Sequence, residues 1–319
     1  MKLKKITVLV IFLLLFTTGC GNNNYLKEDK KIVTNKETGQ SLQNNILCKP
    51  TEKELYEQYE KYNKQLKTKL EDLPECEDFK PSDIEYTGLW ETLFVKPLAF
   101  IILKLGELIN NYGISVMLVG LAIRLILMPF SKKSADQSEN MKKATPEIQK
   151  IEKKYANKTD SDSMMMKSQE TMMVYKKYKI NPVSGCLIAF LQLPLFFAFL
   201  QAINRVPAIF EDTLFGMKLG MTPWVGISKG NYIYIILIVL IILTTYLSFR
   251  NSMKQSGGNS EMERQMQFSL KFMIIMISIA SFSLPTAIAL YWIVTNGFVV
   301  IQNFIFKKLN ENNSKKRGK

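Results

Sequence analysis

Five apolar runs, at about 114–130, 182–203, 231–249, 268–284 and 285–306, constrain this chain more than any other feature. Each approaches or passes the roughly 18–20 residues that a helix needs to cross the hydrocarbon of a bilayer. In lipid every backbone N–H and C=O must be paired within its own segment, so the runs predict α-helices and an all-α membrane protein of five spans. Lysine-rich polar stretches separate them. The 42 Lys and Arg outweigh 28 Asp and Glu, for a formal net charge of +14. Such a charge fits nucleic acid or an anionic membrane surface. Here the basic residues flank the apolar runs, so the bilayer is the expected partner and DNA is not. The chain has no histidine, no zinc-type Cys/His spacing, no Gly-rich phosphate loop and no convergent nucleophile and base. Neither metal nor cofactor nor enzymatic chemistry is expected, and no internal repeat recurs at a fixed period.

The N-terminus reads as a processing signal. MKLKK supplies positive charge, ITVLVIFLLLF an apolar core, and TTGC small residues ending at Cys20. A cysteine after small residues resembles a bacterial lipobox, although Thr17 stands where leucine is usual. Residues 1–19 are then a lipoprotein-type signal peptide, and Cys20 is the lipidated new N-terminus, outside the cytoplasm.

Residues 20–87 form the expected extracytoplasmic segment. Residues 21–50 are polar and asparagine-rich, which predicts loose order. Thr51 and Glu54 have the spacing of a capping box. Leu55, Tyr59, Tyr62, Leu66, Leu70 and Leu73 recur at helical spacing up to Pro74, predicting one amphipathic helix over 51–73. Cys48 and Cys76 flank it. A continuous helix of that length spans roughly 34 Å, whereas a disulfide needs Cα atoms within about 7 Å. The expectation is that these cysteines do not meet. WETLFVKPLAFIILKLGELINNYG, residues 90–113, is apolar but interrupted by Lys96, Pro97, Lys104 and Glu107, and predicts a helix lying on the outer membrane face.

Loop charge sets the orientation. Segment 131–180 holds twelve lysines, the 250–267 loop adds Arg250, Lys254 and Arg264, and six basic residues follow position 306. The 204–230 loop has only Arg205, Lys218 and Lys229. The basic segments face the cytoplasm, giving an N-out, C-in topology. Within 131–180, ATPEIQKIEKKYANK and SMMMKSQETMMVYKKYKI are helix formers separated by a break at 157–163. They predict a cytoplasmic helical hairpin, with Ile148, Ile151 and Tyr155 facing the methionines and tyrosines of the second arm and polar links at 131–136 and before Pro182. Its methionines either fill a small apolar seam or offer thioethers to varied partners.

Four segments together resemble the YidC-type membrane-protein insertases. NPVSGCLIAFLQLPLFFAFLQAI, preceded by VYKKYKI, is similar to that family's second span. YGISVMLVGLAIRLILMPF is similar to its first span, PEIQKIEKKY to its cytoplasmic coiled segment, and ALYWIVTNGFVVIQNFIF to its last span. The resemblance covers about 88–308, the predicted insertase core, and leaves 309–319 as a basic tail. A short lipidated N-terminus resembles the Gram-positive branch. Two positions depart from the pattern: Ile188 replaces a frequent proline, and Ser248 stands where span three often ends in glutamine.

The resemblance implies a hydrated groove open to the cytoplasm and to lipid. Arg124 is the lone charge of its run, in the cytoplasmic half of the predicted helix. It either snorkels to headgroups or faces a watery interior, as intramembrane charges usually do. Gln192, Ser278, Ser281, Tyr291, Trp292, Thr295 and Asn296 share its depth problem and are the other groove candidates. Thr244, Thr245 and Ser248 are weaker ones. Cys186 reads as a packing residue. The implied partners are nascent membrane proteins and the bilayer, with the secretion channel and the ribosome as further candidates. The tail KKLNENNSKKRGK is either a positive-inside flank or an RNA contact. A non-translocating assembly factor would leave Arg124 dispensable. A small-solute transporter would show repeated halves, which five spans cannot form.

Overall fold

The computed structural model describes residues 24–181, 184–255 and 261–317, with side chains placed at 24–137, 139–181, 194–250 and 267–309. The predicted signal peptide, Cys20 and the side chains of Cys186, Ile188 and Gln192 lie outside the described residues. In chain order the elements are strands β1 (Lys27–Glu28) and β2 (Lys31–Ile32), then helices α1 (Lys53–Lys61), α2 (Lys96–Ile109), α3 (Tyr112–Ile126), α4 (Met128–Lys154), α5 (Ser161–Lys177), α6 (Ser184–Asn204) and α7 (Pro207–Glu211). Strands β3 (Thr213–Leu214) and β4 (Met217–Lys218) follow, then α8 (Pro223–Ser228), α9 (Ile233–Gln255), α10 (Glu261–Ala280) and α11 (Thr286–Arg317). Both strand pairs are antiparallel, β1 with β2 and β3 with β4. The chain divides into two compact units. One holds Met1–Gly120, Leu193–Ile238 and Ser281–Trp292; the other holds Leu121–Gln192, Val239–Ala280 and Ile293–Lys319.

In the first unit the N-terminal segment is folded, contrary to the expectation of loose order. Leu26, Leu42, Ile46, Leu47, Leu70 and Phe79 are buried, and bridges Tyr25–Gln43 and Thr34–Ser41 extend the β1–β2 pairing. Sparse leucines between polar residues suffice because the segment packs on other parts of its unit. Arg205, just after α6, is the main tie. Its Nε donates to the Asn45 carbonyl at 2.6 Å, its own carbonyl accepts from Leu47 N at 2.8 Å, and its guanidinium pairs with Glu91 at 3.0 Å. Thr51 and Glu54 do not form a capping box: the N-cap of α1 is Glu52, with no side-chain cap bond. The Glu211 carboxylate instead accepts from Thr51 N at 2.9 Å and Glu52 N at 3.0 Å.

The predicted 51–73 helix stops at Lys61. Short 3-10 turns at Asn63–Gln65 and Leu70–Asp72 fold the chain back, and Cys48 and Cys76 form a disulfide with Cα atoms 4.8 Å apart. The expectation that they stay apart is thereby overturned. It assumed an unbroken rod, and the leucines of 66–73 are buried by turns that helical spacing does not distinguish from helix. Within 90–113 a helix does form, as α2, with Lys96, Leu98, Ala99, Ile102 and Leu103 buried and Ile101 and Leu108 exposed. Asn110 ends α2 in the left-handed region at φ 58°, and the Tyr112 ring lies against Gly106 where no side chain would fit. Asp212 accepts from Tyr112 N at 2.6 Å and Asn111 from Ile114 N at 2.9 Å, which caps the start of α3.

In the second unit α4 and α5 make the predicted hairpin, with three corrections. α3 ends at Ile126 rather than Phe130, and α4 runs unbroken from Met128, so 131–136 is helix and not a polar link. The break falls at 155–160, where Asp160 caps α5 by accepting from Ser163 N at 2.8 Å. The seam joins Ala144, Ile148, Ile151 and Tyr155 to Val174, Tyr175 and Ile180, as expected for the tyrosines. The methionines of the second arm stay out of it: Met164, Met165, Met166, Met172 and Met173 are exposed.

Among the described residues, two helices are long and apolar enough to cross a membrane, Ile233–Arg250 and Thr286–Leu309, and α3 with α4 makes a third if that bent pair is one span; Pro194–Asn204 and Gln267–Ala280 are shorter apolar helices.

Candidate functional site

The helix breaks decide where the polar side chains of the apolar helices can lie. α3 places Arg124 two residues before its end at Ile126, and the residue is 9% exposed. A snorkelled arginine on a lipid-facing surface would be open. The neighbours Leu125 and Ile126 do turn outward, at 53% and 71% exposure. Arg124 thus takes the inward face of an otherwise apolar helix.

α9 and α11 supply the rest of the second unit's buried polar set. Thr245 and Ser248 are buried on α9, and Thr295 and Asn296 on α11. Ser248 Oγ donates to Asn296 Oδ1 at 3.1 Å, tying the two helices together. The serine at the position where the family often has glutamine is therefore a polar partner in its own right. Thr244 is half-buried, and its hydroxyl donates to the Leu240 carbonyl of its own helix at 2.7 Å. Ser278, half-buried on α10, donates to the Ile274 carbonyl at 2.8 Å. Gln302 is a buried member that sequence inspection missed. Its signal was present: it lies seven residues after Thr295, two turns along the same face, inside the apolar run FVVIQNFIF.

Other candidates belong to the first unit. Ser281, the residue that follows α10 in the chain, is fully buried. Tyr291 is buried with its ring stacked on Phe199, centroids 4.1 Å apart, and Trp292 meets Phe196 edge-on at 5.0 Å. Both aromatics pack on α6, Tyr291 by its face and Trp292 edge-on. The start of α11 is fixed by Thr286 Oγ1 donating to the Met221 carbonyl at 2.7 Å and by Trp224 N donating to the Phe282 carbonyl at 3.0 Å.

Two charged residues that sequence inspection left as loop or helix charges, Lys96 and Arg205, are buried in the first unit, and Glu91 is half-buried beside Arg205. Lys96 is 1% exposed and donates to the carbonyls of Ile84 at 2.7 Å and Glu85 at 2.8 Å. The Arg205–Glu91 pair is 3% and 15% exposed. Burial pushes the Glu91 carboxyl up, but the Arg205 charge and hydrogen bonds from Thr87 and Arg205 outweigh it and hold Glu91 below the usual carboxylate range.

Apolar helices of spanning length joined by a buried polar contact define an all-helical membrane protein. The sequence model of the family described as 60Kd inner membrane protein matches residues 104–315, and the chain belongs to that family. It is 35% identical over 225 residues to the membrane protein insertase YidC of Oceanobacillus iheyensis, covering 69% of this chain and 84% of that one. It is 33% identical to the membrane protein insertase MisCA of Bacillus subtilis over 234 residues, 73% and 85% of the two chains. Against the membrane protein insertase YidC 2 of Listeria innocua it is 33% identical over 226 residues, 70% of this chain and 74% of that one.

Proposed function

We propose that this protein is a membrane-protein insertase of the bacterial plasma membrane. It crosses the bilayer five times, N-out and C-in, and is lipid-anchored at Cys20. The observation that carries the reading is the burial of Arg124 within an apolar helix, in a chain whose relatives are named membrane protein insertases. Arg124, Thr245, Ser248, Thr295 and Asn296 form a cytoplasm-open groove, to which Ser278 adds a polar edge. A short hydrophilic segment of a nascent membrane protein enters it. Arg124 attracts the segment's acidic residues and lowers the cost of taking them into a low-dielectric site. The client's apolar helix then partitions sideways into lipid, releasing about 25 cal/mol per Å² of apolar surface buried. The membrane potential adds about 2.3 kcal/mol per charge per 100 mV, and its positive-outside sign favours outward movement of acidic residues.

The Cys48–Cys76 disulfide supports the orientation, because such bonds persist in oxidising compartments. In this reading the disulfide-bonded cap of 24–87 lies outside and segment 131–180, with its twelve lysines against seven acids, lies inside. The secretion channel and the ribosome are the further partners of this reading. The test is reconstitution: purified protein in lipid vesicles, with protease protection of a small single-span client as readout. Insertion above that of empty vesicles is expected. Insertion by an Arg124→Ala variant equal to wild type on acidic clients would favour a non-translocating assembly factor instead.

A further inference from the structure

Gln302 is a member of the buried polar set that keeps a side-chain donor left over among the described residues. It is 4% exposed on α11, and its Nε2 is buried with no acceptor among the described residues. Asn296, by contrast, accepts from Ser248. Gln302 lies six residues beyond Asn296, about 9 Å further along the helix axis, and shares the face of Thr295. Five residues later α11 reaches Lys307 and Lys308. A buried amide N–H without an acceptor destabilises the fold, and native proteins rarely keep one that nothing ever satisfies. A leucine or methionine at 302 would fill the same volume without that cost.

We propose that Gln302 is a client-binding residue whose Nε2–H donates to a main-chain carbonyl of the hydrophilic segment in transit. This rests on the insertase reading. The amide is neutral, so it offers a dipole where Arg124 offers a charge; carboxylates are the natural partners of the guanidinium. An extended segment leaving water carries unpaired carbonyls along its whole length, each costly to bury alone. A fixed donor serves one at any register and reads no sequence. Gln302 therefore sets the capacity to pass neutral polar segments, whereas Arg124 favours acidic ones.

The experiment uses the full chain in lipid vesicles and two single-span clients, one with an acidic outer segment and one with a neutral Gly/Ser/Asn segment. The variants are Gln302→Met and Arg124→Ala. Gln302→Met is expected to lower insertion of both clients about fivefold, the scale of one neutral hydrogen bond. Arg124→Ala is expected to affect mainly the acidic client. Thermal unfolding separates binding from architecture: losing an unsatisfied donor should leave the melting temperature of Gln302→Met unchanged or raised, whereas a structural glutamine would lower it. A photo-crosslinker at 302 should capture both clients. Wild-type insertion by Gln302→Met, or a loss of insertion that tracks a lowered melting temperature, overturns the role of Gln302 alone. Failure of the wild type to insert either client overturns the insertase reading and this inference with it.

Discussion

Single residues carry the charge chemistry of this molecule. Arg124→Ala should reduce insertion of clients with acidic outer segments by tenfold or more, measured by protease protection, since one buried charge-assisted contact is worth about 1.5–3 kcal/mol. Arg124→Lys should retain much of the activity if charge alone is used. The Arg205–Glu91 pair makes a different claim. Removing one partner leaves the other buried and uncompensated, so Arg205→Met should cost about 3–5 kcal/mol by thermal unfolding, and adding Glu91→Leu should recover most of it. Because the folded Glu91 carboxyl is held below its ordinary range, its contribution is fully present at neutral pH. That contribution disappears as the pH falls through the depressed value. Unfolding scans should show an acid-side loss that is absent in Glu91→Gln.

Among the elements, the α4–α5 hairpin is the clearest semi-independent piece. Lys154 and Tyr155 both meet Glu170, at 2.6 and 2.9 Å, and Lys177 and Tyr178 both meet Glu147 at 2.6 Å. The two lysine contacts are exposed and the two tyrosine contacts half-buried, so together they set register more than stability. The seam supplies the stability, so Ile151→Ala should destabilise the hairpin by about 2–4 kcal/mol, read as faster hydrogen exchange throughout both arms. The unbroken α4 also alters the expected motion. Gln137 closes the hairpin base, accepting from Asn181 N at 2.9 Å and donating to the Lys179 carbonyl at 3.3 Å. Exchange at 131–136 should therefore be slow, with fast exchange at the α3–α4 break around Leu127 and in the 155–160 turn. Protection at both breaks equal to that within the helices would exclude a moving hairpin.

At the scale of the whole molecule the tests concern topology and the disulfide-bonded cap. Cysteines introduced as Lys150→Cys and Gln255→Cys should resist an impermeant thiol reagent on intact cells, and Val225→Cys should react. Labelling at 150 from outside would reverse the orientation. Cys48→Ser with Cys76→Ser opens a loop of 28 residues' separation and should cost about 3–4 kcal/mol of cap stability. Insertion should persist, because no groove residue lies within 24–87.

What the sequence determined by itself is what depends on composition along the chain. Apolar run length fixed the helices α9 and α11, loop lysines gave the orientation proposed here, and a lone arginine in an apolar run marked Arg124. Each is a local transfer free energy, readable residue by residue. Helical spacing likewise predicted the hairpin seam at Ile148, Ile151 and Tyr155. Tertiary structure decided whatever depends on residues distant in sequence. The 51–73 periodicity fits helix and turns equally, so only packing showed that α1 stops at Lys61 and lets Cys48 reach Cys76. Arg205 and Glu91 look like loop and helix charges until folding places them 3.0 Å apart. Ser248 gains its standing from Asn296, 48 positions away. A pairwise contact of that kind leaves no trace in either segment alone, because each partner's cost of burial is offset only when the other arrives.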